Sequence, residues 1–115
     1  YRVRIMEIEI ILLIVWLHFV ADFLLQTEAM ANNKSSSNKW LTIHIVCYSL
    51  PFMVFGVWFA FINGVLHFIT DHITSRITKR LWAEKKVGLF FKVIGFDQAI
   101  HMSTLFGTYY LMFIK

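Results

Sequence analysis

The sequence predicts an all-α protein: an integral membrane bundle of four transmembrane helices with short loops, forming one domain over residues 1–115. Three observations carry that reading. Hydrophobic residues make up 58 % of the chain and the mean hydropathy is +0.64, above the usual share for a soluble domain. The apolar residues gather in runs about as long as a bilayer core requires, roughly 20 residues each. Polar or basic segments separate most of those runs. The single cysteine, Cys47, excludes an internal disulfide.

The first apolar run covers residues 8–25 and is closed by Gln26, Thr27 and Glu28. Ala29, Met30 and Ala31 after it imitate a signal-peptidase site, but the run is long for a signal core and contains His18 and Asp22. It is read as a retained span. Residues 1–5 precede Met6 and are open to being foreign to the native chain. A loop rich in Asn, Ser and Lys follows at residues 32–39, ended by Trp40, a ring suited to a membrane interface. From Trp40 to Ile77 the chain stays apolar, too long for one crossing, so it must fold back near Pro51 and Gly56. Spans two and three are placed at about residues 41–55 and 58–77. Basic residues at 79–86 then lead to a fourth span at about 89–114.

Charge gives an orientation. The first and third loops hold Lys34, Lys39, Lys79, Arg80, Lys85 and Lys86, whereas the other side holds Arg2, Arg4 and Lys115. By the positive-inside rule the basic loops face the cytoplasm and both termini lie outside.

Chemistry is concentrated in one pattern. Every aspartate has a histidine four residues away: His18 with Asp22, His67 with Asp71, and Asp97 with His101. Random placement would give three such pairs on the order of once in a thousand. A spacing of four puts both side chains on one helix face, where imidazole and carboxylate can share a metal or bond each other. Along the four spans these pairs, together with His44, fall at one depth, which a shared site in a bundle requires. Gln26, Asn63 and Gln98 lie on the same stripes and are candidates to orient the ligands from behind. Arg76, one turn beyond His72 and on the basic side, is the candidate to hold a phosphate. His72 is turned about 100° from Asp71, so it either points to a neighbouring helix or is peripheral to the pattern.

The strings HFVADFLLQ at residues 18–26, NGVLHFITDHITSR at 63–76 and DQAIH at 97–101 resemble a family of small bacterial and phage membrane proteins catalogued as a domain of unknown function. The resemblance implies a bacterial inner-membrane location and brings no activity. More loosely, the His and Asp content of a small bundle is similar to the inner-membrane metal-dependent hydrolases, relatives of zinc phospholipases. Their usual His-Arg pair and Thr-His-Ser string are absent from this sequence.

Seven candidate ligands, His18, Asp22, His44, His67, Asp71, Asp97 and His101, exceed what one four-coordinate zinc uses. Two divalent transition metal ions are therefore expected, zinc first, with iron or manganese as alternatives. A two-metal site beside a basic loop points to hydrolysis of a phosphoester in a lipid or amphiphilic substrate at the cytoplasmic face. A metal-ion or proton transporter or channel is the alternative, and a structural phage-type membrane effector a third reading. Trp82 among the basic residues reads as an interface anchor, so no nucleic-acid partner is expected. A homo-oligomer is left open.

Overall fold

The computed structural model describes residues 7–114. Its elements are α1 (Ile8–Phe19), a π turn (Val20–Leu24), α2 (Glu28–Asn33), α3 (Asn38–Ser49), a 3-10 segment (Leu50–Phe55), α4 (Val57–Ala83), α5 (Val87–Tyr109) and a second π turn (Tyr110–Ile114). The described residues are all-helical, as expected, and contain no strand.

The membrane reading is overturned. Among the described residues no helix is long and apolar enough to cross a membrane, so the multi-pass inner-membrane location with outside termini does not stand. Hydropathy along the chain registered residue type and missed where helices stop or turn polar. The first apolar run leaves α-helical geometry after Phe19, and α3 has only 12 residues, about 18 Å. The long α4 carries Asn63, His67, Asp71, His72 and Arg76, and α5 carries Lys92, Asp97, Gln98 and His101. Arg2, Arg4, Lys115 and residues 1–5, on which parts of the orientation reading rest, lie outside the described residues.

Each helix buries one stripe. On α1 and its π turn the stripe is Ile14, His18, Ala21 and Asp22; on α3 it is Leu41, His44 and Tyr48. Helix α4 buries Phe59, Ala60, Asn63, Gly64, His67, Asp71, Thr74 and Ser75, and α5 buries Asp97, His101 and Leu105. These are the three-and-four spacings of a helix face. Apolar side chains also lie outside, with Trp16 63 % and Trp58 70 % exposed. Polarity does not sort inside from outside in this chain. What distinguishes the interior is that its polar side chains face one another.

Two local features set the helix positions. Gly56 closes the 3-10 segment at φ +108°, a backbone conformation that side chains disfavour, and its N–H bonds the Met53 carbonyl at 2.9 Å. The expected reversal at Pro51 and Gly56 is therefore present. Gly64 lets α4 approach α3 closely, since a Cβ there would overlap the Ser49 hydroxyl. Behind these contacts an apolar layer of Ile14, Phe52, Phe59, Ala60 and Leu105 fills one end of the interior. The polar cluster fills the other.

One short helix was not expected. Thr27 caps α2 by accepting a bond from the Met30 N–H at 3.2 Å. Met30 is buried beneath it. Lys34 sits at the C-terminal cap, where the helix dipole favours a cation.

Candidate metal centre

The seven side chains picked out by spacing meet inside the bundle. All are buried, from His44 at 0 % to Asp97 at 8 % exposed. Histidine on α3 joins those of α1, α4 and α5, and the Nε2 atoms provide the short contacts. His44 Nε2 lies 3.2 Å from His67 Nε2 and 3.2 Å from Asp22 Oδ1, and His67 Nε2 is 3.6 Å from the same oxygen. A tetrahedral ion bound at about 2.0 to 2.1 Å sets its ligands about 3.3 Å apart. The Asp22, His44 and His67 triangle has that size.

A second group, His67, Asp71 and His101, is wider. His67 Nε2 is 3.8 Å from Asp71 Oδ2, and His101 Nε2 is 4.0 Å from Asp71 Oδ1. The two oxygens of Asp71 are thus divided: Oδ2 faces His44, at 3.6 Å, and His67, while Oδ1 faces His101. Asp97 Oδ2 completes this side at 3.0 Å from His101 Nε2. His18 Nε2 reaches the outer oxygen of Asp22, Oδ2, at 3.6 Å. These buried groups can hold a metal ion.

Electrostatics agrees with the donor chemistry. Burial pushes His67 well below the ordinary imidazole range, against the pull of Asp22, and it lowers His18 as well. Such lowering favours the neutral form of an imidazole, the one that ligates metals. Burial by itself raises Asp22, but the bond from His44 and the surrounding imidazoles outweigh it and hold the carboxyl below its usual range. Asp71 is raised by burial, with the Lys34 ammonium as the main opposing influence. Among the described residues the interior sets three carboxyl groups against one ammonium, that of Lys34. Buried carboxylates are costly unless a cation or bonds compensate them. Moreover, His18 Nε2 and His101 Nε2 are buried and make no well-directed hydrogen bond despite their close carboxylate oxygens. Nitrogens aimed in this way fit coordination better than a hydrogen-bonded staple.

The supporting residues divide. Gln98 donates to Asp97 Oδ2 at 3.2 Å and to Asp22 Oδ2 at 3.4 Å, linking the two sides. Gln26 lines the adjoining cavity, with its Oε1 buried and unbonded. Asn63 is turned to its own helix, donating to the Phe59 carbonyl at 3.0 Å. Arg76 is not brought to the cluster. Its guanidinium donates to the His72 carbonyl and to Asn38 Oδ1, each at 2.9 Å, and so ties α4 to α3. His72 packs against Phe68, and Cys47 remains a free thiol outside both groups.

Four contributors escaped the spacing argument. Lys34 Nζ lies 2.9 Å from Asp71 Oδ2. Thr74 donates to Asp97 Oδ1 at 2.5 Å. Tyr48 stacks on His67 with ring centroids 3.9 Å apart, as does His101. Ser75 is buried beside Asp71 with its Oγ unbonded. Tyr48 was legible one turn after His44, and Thr74 two turns after His67. Lys34 lies on no stripe and offered no signal.

The cluster opens on one side. A cavity of about 240 Å³ is lined by Asp22, Asp71 and Asp97 at its inner end and by Lys34, Ser75 and Thr78 farther out. The last three also line a larger outer cleft of about 520 Å³ that reaches Lys79, Trp82, Phe90 and Phe91.

A family described as Protein of unknown function (DUF3307) matches residues 9–115. The chain belongs to that family. The match spans all three His/Asp pairs as well as His44, and the family carries no assigned activity. No curated protein and no solved structure matches the chain.

Proposed function

We propose that this member of the DUF3307 family is a metal-dependent hydrolase that cleaves a phosphoester of an amphiphilic substrate at a two-ion His/Asp centre. The observation that carries the reading is the divided carboxylate of Asp71, whose two oxygens face different imidazole groups, as a bridging ligand requires. A neutral imidazole nitrogen has one lone pair, so His67 Nε2 serves one ion only. Asp22, His44 and His67, with Asp71 Oδ2, make the tighter place; Asp71 Oδ1, Asp97 and His101 make the second. Zinc suits this mixed nitrogen and oxygen set best, with iron or manganese as alternatives.

Bound ions would supply an activated water and neutralise the charge that develops on the phosphoryl oxygens. The chain's own residues do the rest. Gln98 orients two carboxylates, Thr74 fixes Asp97, and a carboxylate at the inner end of the cavity accepts the water proton. Water attacks phosphorus, the phosphorus–oxygen ester bond breaks, and the carboxyl group returns the proton to the leaving oxygen, which departs as the alcohol. The apolar layer behind the cluster supports approach from the Lys34 side alone.

The test is purification without chelators, elemental analysis, and assay on p-nitrophenyl phosphate and bis-p-nitrophenyl phosphate. Hydrolysis that disappears with chelator and returns with zinc or manganese is the expected outcome. Full hydrolysis by metal-stripped protein would overturn the proposal.

A further inference from the structure

The oxygen of Asp71 that faces His44 and His67 is the oxygen held by Lys34, at 2.9 Å. One oxygen cannot serve an ammonium and a dication equally well, because the dication draws off its charge and repels the ammonium. Lys34 borders open space on its other side. Its side chain is 18 % exposed and lines both the inner cavity and the outer cleft. Beside it, Ser75 Oγ is buried without a hydrogen-bond partner and lines the same two spaces. Beyond them the cleft offers a second cation, Lys79, and an aromatic floor in which Trp82 and Phe90 pack with centroids 5.0 Å apart.

We infer that Lys34 and Ser75 form an anion subsite that metal loading switches on. With the centre empty, the ammonium neutralises Asp71. An ion on Asp71 releases it, and it turns with the Ser75 hydroxyl to a phosphoryl or phosphonyl oxygen at the throat of the cavity. The organic part of that ligand lies on Trp82 and Phe90. This subsite rests on the two-ion reading and gives its substrate a shape: an anionic phosphoester head with an apolar or aromatic group attached. It also makes Lys34 a competitor of the metal, and such a competitor weakens metal binding.

Phenylphosphonate is a non-hydrolysable probe of that shape. Calorimetric titration should show it binding at least tenfold more tightly to zinc-loaded than to metal-stripped protein. Lys34→Gln should erase that gain while binding zinc severalfold more tightly than the parent. Ser75→Ala should weaken the probe several-fold and leave zinc affinity unchanged. A lysine that merely staples α2 to α4 predicts the reverse for zinc, weaker binding in Lys34→Gln. That result, or a tenfold gain retained in Lys34→Gln, would overturn the subsite. Zinc binding by the parent with no gain in phenylphosphonate affinity would overturn the subsite alone, whereas failure of the parent to bind zinc would remove the metal reading as well.

Discussion

The two sides of the cluster are built from the same chemistry and differ in tightness. On the Asp22 side three ligand atoms from the first π turn, α3 and α4 stand 3.2 to 3.6 Å apart. On the Asp97 side Asp71 Oδ1 stands 4.0 Å from His101 Nε2, while Lys34 holds the other oxygen, Oδ2, which faces His44 and His67. The difference traces to the supports. Tyr48 stacks on His67, and Gly64 allows α3 and α4 to pack closely; α2 meanwhile sends a cation to Asp71 Oδ2, the oxygen turned to the tight side. A site with one tight and one wide place should fill in order. The first ion should settle on the tight triangle and take Asp71 Oδ2 as it displaces the ammonium, and the second should fill the wide place.

Substitutions can break that asymmetry. The largest effect is expected for Asp22→Asn, which keeps size but removes the charge at the tight triangle. Zinc affinity there should fall by more than about 100-fold, with phosphoester hydrolysis lost, as read by competition with a fluorescent chelator. Next is Asp71→Asn. Because Asp71 stands between the two places, this variant should fold, bind one zinc in place of two, and lose hydrolysis; retention of two ions and activity would remove the bridging role. Gln98→Ala should be smaller. It bonds carboxylates on both sides, so affinity for both ions should drop by about 10-fold, typical of a group behind the ligands. Smallest is Asn63→Ala, whose amide nitrogen bonds the Phe59 carbonyl of its own helix. It should leave zinc affinity within about threefold of the parent, and a loss as large as that of Gln98→Ala would place Asn63 among the ligand supports.

How far the sequence could be read depends on whether a signal was local. The pairs His18 with Asp22, His67 with Asp71 and Asp97 with His101 lie four apart on continuous helix or at its edge, so their shared faces followed from helix geometry. His44 followed from depth along the chain. The reversal near Gly56 was visible because a long apolar run required one. The membrane reading failed because hydropathy sums over residues and is blind to the π turn at Val20–Leu24, where Asp22 sits and the first α-helix ends. Such turns, with bonds one residue longer than in an α-helix, recur at functional sites. Here the Leu25 N–H bonds the Val20 carbonyl at 2.9 Å. Lys34 was hidden for a different reason: its partner Asp71 is 37 positions away, and only the packing of capped α2 brings them together. Arg76 shows the converse. Its position one turn from His72 was correct for a neighbour of the stripe, yet Asn38 on α3 holds its guanidinium away from the cavity.

The central claim is that Asp22, His44 and His67 close on one ion. Anomalous diffraction from crystals of protein purified without chelators tests it most directly, with data collected above and below the zinc absorption edge. A strong peak is expected within about 2.2 Å of Asp22 Oδ1, His44 Nε2 and His67 Nε2, and a weaker one between Asp71 and His101. Crystals soaked in zinc that show no peak between those three atoms, with their side chains bonded only to one another, would contradict it.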